Sequence, residues 1–423
     1  INDSIYGAGY GSAAVSSGDT QMSVVDSNVT NNLYGGGDSG EVRGSASVYV
    51  TASTVGKNIY GGGNNAAVLG STDIKFLEDS VVNVVFGGGN NGNVGSSTSV
   101  NILERSRVKD TVYGGGNNGT VGGFTSVKVD DSSIENVLFG GGKGYTATVQ
   151  GTNVILQNFS TVAYIYGGGD QGEVKGGSPS ETNVIVDIAS QVEYNVFAGG
   201  SGASDSSTKG SVTGNTNLIV RNNSTIGDGS QAQENGSGAV DVYGDPIYNG
   251  NAFGGGRGQT ATVTGNTSVT IEDSTIKYNV YGGGDNGDIA GNTLVRLTNA
   301  TIDSNAFGAG NGIPDEDHTK HIARVHGNSH IIVEGITNVA KNVFGSGNAA
   351  KTGQENSTTA KSIVDISGGT IGKNVYGGAN SSVVNGDTVT NIGIDAIDSY
   401  HGTETGYLQN DNRRTINGKR GRQ

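Results

Sequence analysis

The residues best suited to chemistry are acids, amides and histidines, and they concentrate in two places. One is a glycine-rich turn. Gly283-Gly284-Asp285-Asn286-Gly287-Asp288 sets two acids three residues apart in a loop, and Asp38/Glu41 and Asp170/Glu173 repeat that spacing. Clustered carboxylate oxygens are what calcium takes as ligands. The other place holds four of the five histidines, from His318 through His321 and His326 to His330, preceded by Asp315, Glu316 and Asp317. Imidazoles and carboxylates together are the donor set of zinc or nickel. His326 and His330 share one face of an extended strand, but at about 13 Å they are too far apart for one ion without a bend at Gly327.

Each cluster has a plainer reading. In other copies of the glycine turn the acid is an amide: Asn64, Asn90 and Asn117 stand where Asp285 stands. Neutral side chains at a repeating position predict a stacked amide ladder, each bonding the next copy. Calcium-binding glycine repeats recur every nine residues, and this turn does not. The ladder is therefore the expectation, with calcium at Asp285 and Asp288 as its alternative. The histidines lie in a polar interruption of the pattern, where exposed imidazoles suffice. No residue is assigned to catalysis or to a cofactor.

What positions these turns is one phrase: an aliphatic residue, an aromatic residue, then glycines. The ring of the phrase is Tyr6, Tyr34, Tyr60, Phe86, Tyr113, Phe139, Tyr166, Phe197, Phe253, Tyr281, Phe307, Phe344 and Tyr376. Most copies are 26 to 28 residues apart, and one interval is 56. Such a period marks a repeat architecture. Between phrases, Thr125-Ser126-Val127-Lys128-Val129 alternates with a period of two, as do the copies at Thr98 and Thr267. That is a strand with one buried face. A brief Val-x-Gly piece precedes it. A Ser-x-Ile piece follows it, after a turn signalled by acidic pairs such as Asp130-Asp131 and Glu272-Asp273. No helical period appears. The expectation is an all-β, single-stranded parallel β-helix with three short strands per coil, about 27 residues per coil and twelve to thirteen coils, roughly 55–60 Å long. Tyr and Phe exchange freely in the ring slot, so the rings should stack in a ladder facing the core or lining its edge.

The coils should span residues 1–394, with surface inserts near 228–248, 313–323 and 350–360. The 56-residue interval is expected to be one coil carrying an insert. Residues 395–423 form a non-repeat tail ending in five basic residues, Arg413, Arg414, Lys419, Arg420 and Arg422, without an acid.

Composition narrows the function. Glycine is 76 of 423 residues at fixed places, proline only 3, and hydrophobic residues are 33%. A thin repeated core tolerates that share; fixed glycines mark either positive φ or close approach of coils. A net charge of −14 opposes nucleic-acid binding. No apolar run is long enough to insert in a membrane as a helix. Opening directly inside a coil, the chain reads as a processed product or a piece of something longer.

The run Val-Tyr-Gly-Gly-Gly-Asn-x-Gly-x-Val-x-Gly-x-Thr-x-Val-x-Ile resembles the repeat of large bacterial adhesin-like surface proteins with right-handed parallel β-helices, over residues 1 to about 394. The resemblance implies an extracellular or cell-surface stalk or stacked filament, with partners that are other copies end to end, a longer parent chain, or a glycan or host-surface ligand. It carries over no catalytic residue. A polysaccharide-binding or polysaccharide-degrading β-helix is the alternative. The local patterns of pectate lyases and polygalacturonases (Asn-Thr-Asp, Gly-Asp-Asp, Gly-His-Gly, Arg-Ile-Lys) do not occur, there is no Trp, and the mixed outward residues form no flat threonine array of the ice-binding kind.

Overall fold

The computed structural model describes residues 1–176, 181–202, 210–234, 237–238, 248–313 and 323–393. Most of the 313–323 insert and the 395–423 tail, with His318 and His321, lie outside the described residues. The described chain is an all-β parallel solenoid. Thirteen strands, from Thr20–Val25 to Gly386–Ile392, form one parallel sheet in which each strand pairs with its copies one coil before and one coil after. The register is like on like: Thr98, Thr125 and Thr152 stack, as do Val100, Val127 and Val154. A second parallel sheet collects the Ser-x-Ile and aromatic pieces, which merge into one strand in places such as Ser133–Phe139. The Val-x-Gly piece pairs through single-residue bridges, in the series Val42, Val68, Val94 and Val121 and again from Val149 to Val384. Only one residue there is extended, so that face is a seam rather than a sheet.

Alternation produces the core. In Phe124–Asp130 the residues Thr125, Val127 and Val129 are buried while Ser126 and Lys128 are partly exposed. With Ile134 and Leu138 from the second sheet, Val127 and Val129 join a continuous aliphatic cluster that runs the length of the rod. The threonine near the start of most long strands has a role hidden at the sequence level, with Thr182, whose hydroxyl finds no partner among the described residues, as an exception. Thr72, Thr98, Thr125 and Thr152 donate their hydroxyls to the carbonyls of Gly87, Gly114, Gly140 and Gly167 in the following coil, at 2.6–2.7 Å. Each buried hydroxyl is thereby satisfied and staples two coils.

The glycines answer to close approach. A Cβ on Gly141 would lie 2.8 Å from the backbone nitrogen of Gly169 in the next coil, and Gly62, Gly88 and Gly115 meet the same obstacle. A positive-φ corner lies after the long strand, and non-glycine residues take it: Asp131 and Asp273 singly, and in five coils the pairs Glu78-Asp79, Glu104-Arg105, Asn158-Phe159, Ile188-Ala189 and Asn222-Asn223. The acidic pairs thus do mark a turn.

Phe197 pairs directly with Phe253, so the 56-residue interval is one coil. It carries two excursions. The bridges Asp170–Ser201 and Val174–Val212 place one between Ser201 and Val212, which the sequence reading left out. The other, near 228–248, contains an antiparallel pair, Gln233–Glu234 with Ser237–Gly238, and closes at a Gln231–Tyr248 bridge. The 350–360 insert is narrower than expected, because Thr352 keeps its place on the seam and Ala360 already begins a strand.

Candidate functional site

The ring column defines the molecule's most distinctive surface. Thirteen rings stack with centroids 4.7–5.2 Å apart and planes within 14° of parallel, from Tyr6 to Tyr376. End to end the column measures about 58 Å, as twelve steps of one strand spacing require. Leu33 and Ile59 point into the aliphatic core, and their neighbours Tyr34 and Tyr60 belong to a separate aromatic cluster. Adjacent residues of a strand face opposite ways, so the rings lie on the far side of the strand from the lumen. The eleven from Tyr34 to Phe344 are nevertheless buried.

Two amide ladders border the column. One is the ladder expected at the glycine turn. Asn64 donates to Asp38 at 2.7 Å, Asn90 to Asn64 at 2.8 Å and Asn117 to Asn90 at 2.8 Å. A second run repeats it: Asn311 donates to Asp285 at 3.0 Å, Asn348 to Asn311 at 2.9 Å and Asn380 to Asn348 at 2.7 Å. Each run starts on an aspartate because the lowest rung needs only to accept. The other ladder, two residues before the ring, was not foreseen. Asn251 donates to Asn195, Asn305 to Asn279 and Asn342 to Asn305 at 3.0–3.2 Å. Asn58 and Asn279 also donate to the Tyr60 and Tyr281 hydroxyls. Its signal was present as Asn two before the ring in most copies, with Ser4, Val84, Thr111, Val137 and Tyr164 as exceptions. Where Val84 and Thr111 replace the amide, a depression of about 200 Å³ opens over Tyr60, Phe86 and Tyr113, walled by Asp110, Asn117 and Lys143.

Between the two runs the glycine-turn position changes character, reading Lys143, Asp170, Ser201 and Arg257 on successive coils before Asp285 resumes the ladder. Burial pushes the Asp170 carboxyl up, against the opposing pull of Lys143 and the Tyr113 hydroxyl. Burial likewise raises Asp285, against Asn311 and Arg257, whose Nε lies 3.9 Å away. Tyr166 is raised by burial, with Arg257 pulling the other way through its charge and a hydrogen bond.

The sequence-level metal candidates separate. Asp285 is the base of an amide run, whereas Asp288 accepts the Arg324 backbone N–H at 2.8 Å and faces His326 Nε2 at 3.6 Å. Burial raises Asp288 too, with the Arg324 amide and His326 opposing. His330 turns to the next coil, where its Nε2 lies 2.8 Å from the buried Asp365, which also accepts from Asn391 at 2.7 Å. The two histidines therefore serve different carboxylates. Among the described residues no three His, Asp or Glu side chains converge in a way that could hold a metal ion.

Tyrosines outside the column form a further cluster beside the 228–248 excursion. Tyr164 packs against Tyr194 and Tyr248 against Tyr278, with centroids 4.9 and 5.5 Å apart and planes tilted by 46° and 55°. Lys341 sits over Tyr278, 5.8 Å from the centroid. The repeat phrase masks them in the sequence, since they lie two to five residues ahead of it.

No protein-family model, no curated protein and no solved structure matches the chain.

Proposed function

We propose that this chain is a structural and adhesive rod of a bacterial surface, a stalk or a filament built by stacking end to end, that works through length and stiffness rather than through a reaction. The observation that supports this is the unbroken ring column, stacked from Tyr6 to Tyr376, in which the eleven rings from Tyr34 to Phe344 are only 2–7% exposed. Like-on-like parallel pairing makes each coil a template for the next, whether within a longer parent chain or in a second copy. An extracellular setting belongs to the same proposal.

Electron microscopy of the purified chain over a range of concentrations tests it. The expected images are straight rods of roughly 58 Å that join axially as concentration rises and stop joining in a Tyr376→Asp variant. Discrete rods that never make end contacts would remove the filament, leaving only the stalk; particles without a rod shape would remove both. Incubation with polyuronides, with and without calcium, probes the enzymatic alternative, and release of unsaturated or reducing ends would overturn the non-catalytic reading.

A further inference from the structure

We infer that the outer tyrosines Tyr164, Tyr194, Tyr248 and Tyr278 form a binding surface for a neutral polysaccharide lying along the rod. They belong to four consecutive coils, those of Tyr166, Phe197, Phe253 and Tyr281. Tyr194 and Tyr278 stand three residues before the ring, where earlier coils carry Asn31, Lys57, Asn83, Asp110 and Asn136. The repeat thus departs from its polar habit here, beside the longest interruption of the phrase.

The geometry differs from that of the column in the respect that matters for a ligand. Column rings lie within 14° of parallel and cover one another's faces. The outer pairs are tilted by 46° and 55°, so neither ring of a pair lies flat on its partner, and Lys341 sits over one face of Tyr278. Tyr248 is 38% exposed and the other three are partly exposed. A sugar ring offers an apolar C–H face and a rim of hydroxyls. Tyrosine matches both with a rigid apolar body and a polar tip, and binding sites generally pair aromatic walls with a few fixed polar groups.

Those groups are present. Arg257 and Asp228 lie close enough to Tyr164 to act on its hydroxyl electrostatically. Next to Tyr248, the buried Asn249 donates its side-chain amide to Ser230 at 3.1 Å, which braces the segment that carries Tyr248. Coils recur at about 4.8 Å, so a linear polymer meets a similar foothold at each step. A net charge of −14 opposes polyanionic glycans and favours uncharged ones.

Native electrophoresis of the full chain tests this in gels containing hydroxyethyl cellulose, galactomannan, soluble starch or polygalacturonate. Retardation is expected in at least one neutral gel. It should weaken at least tenfold in the Tyr194→Ala/Tyr278→Ala double variant and survive in Tyr194→Phe/Tyr278→Phe, which keeps the rings. An unchanged thermal midpoint of the alanine variant separates lost binding from lost folding, and the single variant Tyr194→Ala, expected to weaken retardation by itself, replaces the double one if that folds poorly. No retardation in any neutral gel, retardation untouched by the alanines, or strongest retardation in polygalacturonate would each overturn the inference. The rod reading stands or falls separately, on the shape and contacts of the particles.

Discussion

The coils bearing Asp38, Asn64, Asn90 and Asn117 and those bearing Lys143, Asp170, Ser201 and Arg257 differ at the residue that follows the glycines, and the contrast is instructive. In the first set each asparagine donates to the rung below at 2.7–2.8 Å. In the second the rungs change charge from coil to coil and engage Tyr113, Tyr166 and one another. The ring column passes through both without a break, at 4.9 Å from Phe139 to Tyr166 and 4.8 Å from Phe197 to Phe253. Architecture therefore resides in the rings, the threonine staples and the close-packed glycines. The glycine-turn position can depart from the repeat without cost to the coil, and it does so beside the outer tyrosines and the excursions.

The sharpest test of that division is the column itself. Phe139→Ala and Phe197→Ala each remove a buried ring from between two others, and each should cost about 3–5 kcal/mol, read as a fall in the urea midpoint at constant slope. Equal losses fit a column indifferent to the turn beside it. A much smaller loss at Phe197 would show that the irregular coils are held by something other than the rings.

A middle-sized effect separates the turns. Asn90→Ala removes both a donor to Asn64 and an acceptor from Asn117, and leaving two half-buried partners unpaired should cost about 1–3 kcal/mol. Ser201→Ala, at the same station of an irregular coil, should stay within about 0.5 kcal/mol. Similar losses at the two positions would erase the distinction between them.

Much of this was legible before any coordinates, because a repeat writes its three-dimensional neighbours into its period. Residues one coil apart become contacts, so Asn64, Asn90 and Asn117 could be read as a ladder and the thirteen aromatics as a stack. What escaped was whatever the period does not encode. Thr72 reaching Gly87 joins two stations of different coils that no spacing rule connects. That rings outside the lumen would still be buried is likewise not written in the spacing, and it holds even where Val84, Thr111, Val137 and Tyr164 replace the flanking amide. His326 and His330 looked like a pair because they share a strand face, yet extension carries each to a different partner. The excursion after Ser201 was absorbed into a single long interval, since only the bridges on either side reveal where the extra residues lie.

The smallest expected effect is a difference of sign with pH, and it contrasts the turn with the opposite corner of the coil. At that corner, burial raises Asp187, but Arg221, Asn222 and the Ile188 N–H more than offset it and hold the carboxyl below the usual range. Arg221 supplies two bonds at 2.8–2.9 Å, Asn222 one at 2.7 Å and the Ile188 amide one at 2.8 Å. A depressed carboxylate contributes stability that is fully present above its unfolded pKa and lost as pH falls through the folded one. Asp285 is the reverse case: burial dominates and raises it, despite Asn311 and Arg257. Its contribution is complete below the unfolded pKa and is lost as pH rises through the folded value. Urea midpoints measured from pH 7 down to about pH 3, bracketing the unfolded carboxylate range, should therefore separate two variants. Asp187→Asn should lower stability at neutral pH and flatten its decline on acidification. Asp285→Asn keeps an acceptor for the Asn311 amide, so it should match or exceed the parent at pH 7 and lose ground to it in acid. The same slope in both variants would mean that the braced corner and the ladder base are electrostatically alike, and that the contrast between them lies in hydrogen bonding alone.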